Sequence, residues 1–429
     1  MCQYRAVGHP VAMAICDGLV EEAAAAINMD SVELRKLNLI KDNAYPTTTA
    51  SGLKLDDLSH HKAINKLVEM MDYEKLKDEN NLKNNKLRNE GVHRGIGFVS
   101  MIEITNPSPA FYGVGGAHIA SQDGATIRLG AGGGIHVSSS VTEQGQGTNA
   151  ILAQIAADVF GVNIDMVQVT TGDTKTTPYG GGAWASRGAG IGGEAVYLAA
   201  EALKDQVLDI ASVMLQSKPE DLNISDGNVV DIGSDDNRIS LSDLARTVYY
   251  RGNELPSDMP LELIATRHYR VTDMPFVFTN AAMAAHIELD VETGIIKVLN
   301  FWAVEDCGRV INPMLVDEQI RGGVVQGIGS ALYEECLYSD EGQLLNVTLA
   351  DYLVPMAAEM PEIHVAHIET PTKTSVLGAK GAGEAGTGGA PAAIINAVNN
   401  ALRPLGVTNF QIPMTPNRML ETLKAANFK

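Results

Sequence analysis

Gly378-Ala379-Lys380-Gly381-Ala382-Gly383-Glu384-Ala385-Gly386-Thr387 sets one carboxylate inside a run of glycines. Gly378, Gly381, Gly383 and Gly386 remove side-chain bulk, so the backbone can pass close to a large ligand and present its N–H groups. Pro391 and the apolar-periodic run PAAIINAVNNAL follow. This places the stretch just before a helix N-terminus, where negative charge is favoured. Glu384 in that setting is either a general base or a local acceptor for backbone N–H groups.

Other glycine-rich turns surround this one in the sequence. Thr142-Glu143-Gln144-Gly145-Gln146-Gly147-Thr148 lies between the strand-like GIHVSSS and the helical AILAQIAADVFGV, and puts Gln146 beside free backbone N–H groups at a helix start. The same sequence reads equally as a tight turn with a capping glutamine. Thr177-Pro178-Tyr179-Gly180-Gly181-Gly182-Ala183-Trp184-Ala185-Ser186-Arg187-Gly188 leads into the long amphipathic run GIGGEAVYLAAEALKDQVLDIASVML, a second helix end suited to anions. Gly322-Gly323-Val324-Val325-Gln326-Gly327-Ile328-Gly329 offers a third glycine-rich turn, with Gln326 in its middle.

The composition bounds the partners. With 429 residues, 45% apolar content and near-zero mean hydropathy, the chain is long enough for two or three domains with real cores. No apolar run is long enough to span a bilayer and no export signal opens the chain, so a cytoplasmic protein is expected. A net charge of −20 would repel a phosphate backbone, which argues against nucleic acid. The four cysteines (2, 16, 307 and 336) show no iron–sulfur or zinc ligand spacing.

Residues 11–27 carry apolar residues at helical spacing with acids on the other face, and Asp30-Ser31 caps a second helix through VELRKLNLI. Residues 59–90 read as a long charged helical segment whose asparagines and lysines form a solvated face or linker. From His93 the pattern turns to short β-like runs, GIGFVSMIEI, AHIASQ, ATIRLGA and GIHVSSS. A domain boundary is therefore placed at 92/93. Later strands, AAHIELDV and IIKVLNFWAVED, flank a hairpin turn at Glu292-Thr293-Gly294. His286, Glu288 and Asp290 alternate along one of them and read as its solvated face. Both Gly188-x-Gly190-x-x-Gly193 and Gly381-x-Gly383-x-x-Gly386 match the dinucleotide fingerprint. The first lacks a preceding hydrophobic strand, and neither has the acidic residue that closes a βαβ unit about 20 residues on, so a nucleotide-binding dehydrogenase is set aside.

Taken in order, MCQYRAVGHP, TEQGQGT, TPYGGGAWASRG, EDCGRVINP, GGVVQGIG and GAKGAGEAGT resemble the molybdopterin-binding subunit of the xanthine dehydrogenase/aldehyde oxidase family. The resemblance runs collinearly from residue 1 to the TPNR motif at 415–418. It implies an α+β fold of the family's molybdopterin-binding domains, mixed sheets with long helices: residues 1–92 as the carboxy-terminal part of a first such domain and 93–429 as a second. It implies a molybdenum–molybdopterin cofactor, in bacteria usually the cytosine dinucleotide, held through the pterin dithiolene rather than by protein ligands. By matching motifs, Gln144, Gly145, Gln146 and Gln326 resemble cofactor contacts. The segment Ala183, Trp184, Ala185, Ser186, Arg187 and Gly188 resembles the loop around the pyranopterin and its phosphates. Gly383 and Arg5 resemble backbone and arginine contacts near the metal, and Glu384 resembles the family's base beside it.

The activity so implied is hydroxylation of an aldehyde or N-heterocycle with water as oxygen donor, electrons passing to iron–sulfur and flavin (FAD) modules on partner chains. A molybdopterin-binding or assembly partner without catalysis is the competing reading, which has no need of Glu384. Departures narrow the substrate. The family's Arg-Gly-Phe-Gly is here Arg5-Ala6-Val7-Gly8, so a stacking phenylalanine is missing at Val7 and purines are disfavoured. Ala6 stands where the family's carbon monoxide dehydrogenases carry a copper-binding cysteine, which disfavours carbon monoxide. The resemblance covers only the second half of such a subunit, so a partner carrying the amino-terminal half is expected.

Overall fold

The computed structural model describes residues 4–233, 237–272 and 276–426. The chain divides into two compact units, each assembled from separated segments: Met1–Ile104 with Phe278–Thr370 and Ala382–Lys429, and Thr105–Val277 with Pro371–Gly381. Both contain a mixed sheet and helices. Cys2 lies outside the described residues.

The first unit is built on a four-stranded sheet ordered Glu362–His367, Ile296–Asp306, Val277–Asp290 and Val92–Thr105. The first pair is parallel and the second antiparallel. Period-two alternation sends Ala281, Met283 and Ala285 to one face, and Ala282 and Ala284 to the other. On the first face pack the helices Pro313–Leu332 and Ala385–Leu402. On the second pack Ala63, Ile64 and Leu67 of the His60–Met70 helix, with Tyr73 edge-on to Phe98. A bulge between His286 and Ile287 leaves Leu299 without an opposing residue. It keeps both halves of the strand pair facing the core, since Phe301 and Ala303 on one side of it give way to Val298 and Ile296 on the other.

Glycines decide how closely the Ala385–Leu402 helix seats. A Cβ on Gly97 would lie 2.1 Å from the nitrogen of Ala397 and 2.4 Å from the carbonyl oxygen of Ala393. One on Gly386 would lie 2.6 Å from the carbonyl oxygen of Ile320, and one on Gly327 2.6 Å from the Cβ of Ala390. The run 322–329 is therefore not a turn but the middle of the Pro313–Leu332 helix, its glycines spent on backbone approach to the neighbouring helix. For the same reason the following helix starts at Ala385, and Pro391 sits inside it.

Two further readings are corrected, and the orientation of a third element is found. The 59–90 segment is two helices, His60–Met70 and Tyr73–Leu87, and its asparagines are structural: buried Asn84 pairs with both backbone groups of Arg94, and Asn80 donates to the same carbonyl. His286 and Glu288 lie on a covered rather than a solvated face: His286 is buried against Asn80, and Glu288 pairs with Arg94 at 2.6 Å. The His9–Ala26 helix is inverted relative to its apolar pattern. Its Asp17 and Glu21 are buried on Arg35, at 2.5 and 2.8 Å, while Val11, Ile15 and Leu19 are 62, 59 and 66% exposed. Asp30 does cap the Ser31–Asn38 helix through the N–H of Val32.

In the second unit a sheet ordered Ile264–Tyr269, Asp123–Leu129, Ile135–Ser139 and Val167–Thr171 is packed by the helices Thr148–Phe160 and Glu194–Leu215. Ala125, Ile127, Leu129, Ile135 and Val137 are buried. The run AHIASQ, expected as a strand, is irregular. A small antiparallel sheet, Leu222–Ser225, Asn228–Asp231 and Asn237–Ser240, precedes the Leu241–Tyr250 helix.

The glycine seating is directly testable. Gly97→Ala drives a methyl into backbone that no rotamer can relieve, and should cost about 3 kcal/mol, the upper end of core overpacking. Denaturant unfolding should show the loss. A change below about 0.5 kcal/mol would mean that the helix does not sit as close as described.

Candidate active site

In the first unit, the stretch that opens the sequence argument meets the start of the chain. Glu384 is the N-cap of the Ala385–Leu402 helix, and its carbonyl accepts from the N–H of Gly388. Its carboxyl accepts the backbone N–H of Ala6. Burial pushes its pKa above the ordinary 4.5, against the pull of that N–H and of Arg5. The carboxyl is thus poised to take up a proton more readily than a solvated one.

Arg5 is fixed by three acceptors. Its Nε donates to the carbonyl of Gly383 at 2.5 Å, Nη1 to Oε1 of Gln326 at 2.9 Å, and Nη2 to the carbonyl of Gln319 at 2.9 Å. Arg5, Gln326, Gly383 and Glu384 are thereby brought together, although Gln326 comes from mid-helix and not from a turn. The backbone beyond Arg5 is strained: Ala6 and Val7 have φ of 69° and 50°, a left-handed conformation costly for a β-branched residue. Ala6 is fully buried, whereas Val7 is 66% exposed beside the carboxylate's N–H partner.

The second unit joins the other two motifs. The nitrogen of Ala183 donates to Oγ1 of Thr142 at 3.3 Å, so the 183–188 loop lies against the 142–148 loop. Ala185 and Ser186 take φ of 47° and 51°, Gly145 takes 94° with open space around its Cβ position, and the buried Nε1 of Trp184 has no partner. Left-handed backbone, an open glycine and an orphaned indole donor suit a polar ligand seated on the 183–186 loop and the exposed Gln144-Gly145 tip. On this ground the residues fit a pterin with phosphates.

The side chains are deployed differently from the sequence reading. The N–H groups at 142–148 are not free: Glu143 accepts from Gln144, Gly145, Gly147 and Asn149 at 2.7 to 3.1 Å. Burial alone would raise the Glu143 pKa, but these four donors hold it below the ordinary 4.5. Gln146 turns into its own loop, Nε2 donating to the carbonyl of Thr142 and to Oγ1 of Thr148, and Oε1 accepting from the nitrogen of Gln144. Gln144 and Gly145 are what the loop exposes. Arg187 is 0% exposed, paired with equally buried Asp123 and donating to the carbonyls of Ala120 and Gln122. It anchors the root of its loop and offers no guanidinium to a ligand. Gly188 opens a six-residue π-helical stretch, Gly188–Gly193, that leads into the long helix. Its glycines pack tightly, since a Cβ on Gly190 would meet the Asn106 amide and one on Gly192 the Val141 side chain.

Sequence reasoning missed Glu143, Asp123 and Gln319. Glu143 had a visible signal, an acid in the turn before a helix start. Asp123 and Gln319 had none, being far in sequence from the arginines they serve.

A profile of the molybdopterin cofactor-binding domain matches residues 66–361. The large subunit of nicotine 6-hydroxylase from Paenarthrobacter nicotinovorans is 34% identical over 99% of this chain and 51% of its own length. The carbon monoxide dehydrogenase large chain of Hydrogenophaga pseudoflava is 31% identical over 97% of this chain and 51% of its own. Among solved structures, quinoline 2-oxidoreductase from Pseudomonas putida 86 superposes with a TM-score of 0.89 at 35% identity, over 98% of this chain and 53% of that one. The chain spans about half the length of these relatives.

Glu143 supplies a test confined to the second unit. Glu143→Ala strands four backbone donors and should cost about 1 kcal/mol, as for a lost helix cap. Because its folded pKa lies below 4.5, that stabilisation is fully present above 4.5 and is lost as pH falls through the folded value. Unfolding curves of wild type and variant should therefore differ near neutral pH and converge in acid. A gap independent of pH would show that the carboxylate is not the cap.

Proposed function

Because the chain belongs to the molybdopterin cofactor-binding domain family, we propose that it forms part of a molybdenum hydroxylase acting on an N-heterocycle or aldehyde, with Glu384 as the general base. The observation that carries this reading is a buried carboxyl at a helix N-cap that accepts the Ala6 N–H and lies in the field of the Arg5 guanidinium, its pKa raised by burial. An assembly partner has no use for such a group. Names among the relatives, nicotine hydroxylase and quinoline oxidoreductase, support the heterocyclic class.

When bound, the molybdenum–pterin group, most simply as the cytosine dinucleotide, supplies two-electron oxidation with water as the oxygen source. Within the second unit, Gln144, Gly145 and the backbone of Ala183 to Gly188 would hold the pterin and its phosphates; within the first, Gln326, Gly383 and Arg5 are the cofactor contacts we propose beside Glu384. Glu384 takes a proton as the new carbon–oxygen bond forms, and its raised pKa makes it a stronger base than a solvated carboxylate. Arg5, spent on three oxygens, fixes the Gly383 carbonyl and so the direction of the next side chain. Val7 narrows the approach without offering an aromatic face, and buried Ala6 offers no thiolate for copper.

The partners follow from what the chain leaves uncovered. Val11, Ile15 and Leu19 form one i, i+4, i+8 stripe, and Leu345, Val347, Leu349 and Met356 are also exposed. With the chain half as long as its relatives, this supports a partner segment equivalent to their remaining half, with iron–sulfur and flavin subunits beyond it. Among the described residues no helix is long and apolar enough to cross a membrane, in keeping with a cytoplasmic complex.

Glu384→Gln in the molybdenum-loaded complex should retain the metal and lower kcat by about 10²–10⁴-fold, the range for a lost general base. Wild-type kcat should fall in acid with an apparent pKa above 4.5, and the variant should lose that limb. Near-normal turnover in the loaded variant would reject the assignment. Co-expression with the complementary half should convert the chain into a stable molybdenum-containing species, read by size exclusion and metal content. A lone chain with one molybdenum and full activity would show that no such partner is needed.

A further inference from the structure

Away from the Glu384 site, the first unit holds a cavity of about 370 Å³ lined by Leu76, Glu79, Asn80, Lys83, Arg94, His286, Leu299 and Asn300. Its lining is set by the frame around it. Leu76, Glu79, Asn80 and Lys83 fall at i, i+3, i+4 and i+7 of the Tyr73–Leu87 helix, hence on one side. Leu299 is the extra residue of the bulge, and bulges recur where a sheet re-aims side chains at a site.

His286 gives the cavity its chemistry. It is 5% exposed. The Asn80 amide nitrogen donates to the carbonyl of Arg94, so its Oδ1 accepts from Nε2–H of His286 at 3.1 Å. Nδ1 then carries the lone pair, and it is buried with no partner. A buried acceptor of this kind is costly unless a donor reaches it. Burial, then Arg94 and Lys83, hold the histidine pKa down at about 4, so the ring stays neutral and Nδ1 stays an acceptor.

The groups around it constrain the ligand. Arg94 and Lys83 make the potential at His286 positive, outweighing Glu288. Lys83 is exposed and forms no ion pair among the described residues. Glu79, also lining the cavity, disfavours a fully ionised dianion. An anion that keeps one proton satisfies all three, with its oxyanion on Lys83 and its O–H on Nδ1. We propose that this cavity binds a singly protonated phosphate group, of free phosphate or of a phosphate monoester, with His286 accepting its hydroxyl proton and Lys83 pairing its charge. Asn300 supplies an amide at the bulge, and the space beyond a phosphate accommodates a small ester substituent.

Sulfate is the control: it has the shape of phosphate but no proton to give Nδ1, and it also carries the second charge that Glu79 disfavours, so the His286→Phe variant is needed to isolate the contribution of the proton. The full chain is titrated calorimetrically with inorganic phosphate, glycerol 1-phosphate and sulfate at about pH 6, where a monoester carries its second proton about half the time, at matched ionic strength. Phosphate or the monoester should bind saturably and sulfate at least about tenfold more weakly, the value of one hydrogen bond to a charged group. The tighter of the two phosphates identifies the source. His286→Phe should narrow the preference over sulfate by about tenfold, the part carried by the hydrogen bond to Nδ1. Lys83→Ala, a surface change without risk to the fold, should weaken phosphate by about tenfold. Equal binding of sulfate and phosphate, no saturable binding, or phosphate affinity unchanged in Lys83→Ala would overturn the proposal.

Discussion

The first unit depends on backbone touching backbone. The Ala385–Leu402 helix lies so close to the Val92–Thr105 strand and the Pro313–Leu332 helix that methyl groups at 97, 327 or 386 would overlap neighbouring atoms. Close approach maximises dispersion contact, and it removes the freedom of a helix to slide or rotate on its support. Because Glu384 is the N-cap of that helix, its backbone inherits the position of the whole packed layer. The same contact places Gln326, one residue from Gly327, toward Arg5. The site is thus held by elements rather than by a mobile loop.

Charge burial is the second constraint, and the arginines meet it in different ways. Arg35 and Arg187 are entirely internal, each paired with buried carboxylates and capped by carbonyls, which is the condition under which a buried ion is tolerated. Arg5 is held instead by two backbone carbonyls and an amide. Its charge is balanced at longer range by Glu103 and Glu384. The inverted His9–Ala26 helix follows from the same physics. Arg35 draws Asp17 and Glu21 inward, and the apolar residues on the opposite side are left outward.

What the sequence made legible was chemistry type; what it hid was geometry. Arg5, Gln326 and the Gly383-Glu384 pair come from three motifs of the family resemblance, and the fold of the first unit brings them together. The glycines themselves misled: in 322–329 they resemble a turn, and only the facing helix reveals that they serve packing. Asn80 and Asn84 read as solvent-loving, since composition cannot show that an edge strand will need their amides. Gln146 and Arg187 were identified as polar groups in the correct loops, yet their partners, Thr142, Thr148 and Asp123, turn them inward. Periodicity found the His9–Ala26 helix; what it could not show is that two buried ion pairs turn the acidic side inward and leave the apolar stripe outward.

The position of Glu384 sets two opposed effects on a carboxyl against each other. A helix N-terminus favours the carboxylate by placing unpaired N–H groups and the positive end of the dipole beside it, which lowers its pKa. Burial favours the acid form. At Glu384 burial prevails, so the pKa is raised, but the Ala6 N–H and Arg5 limit the rise. Without those two groups the carboxyl would stay protonated to higher pH still. Without burial it would be an ordinary weak base, ionised but inert. The strained left-handed turn at Ala6 and Val7 is what carries the Ala6 N–H to the carboxylate, and its conformational cost is sustained by the three bonds of Arg5 immediately before it.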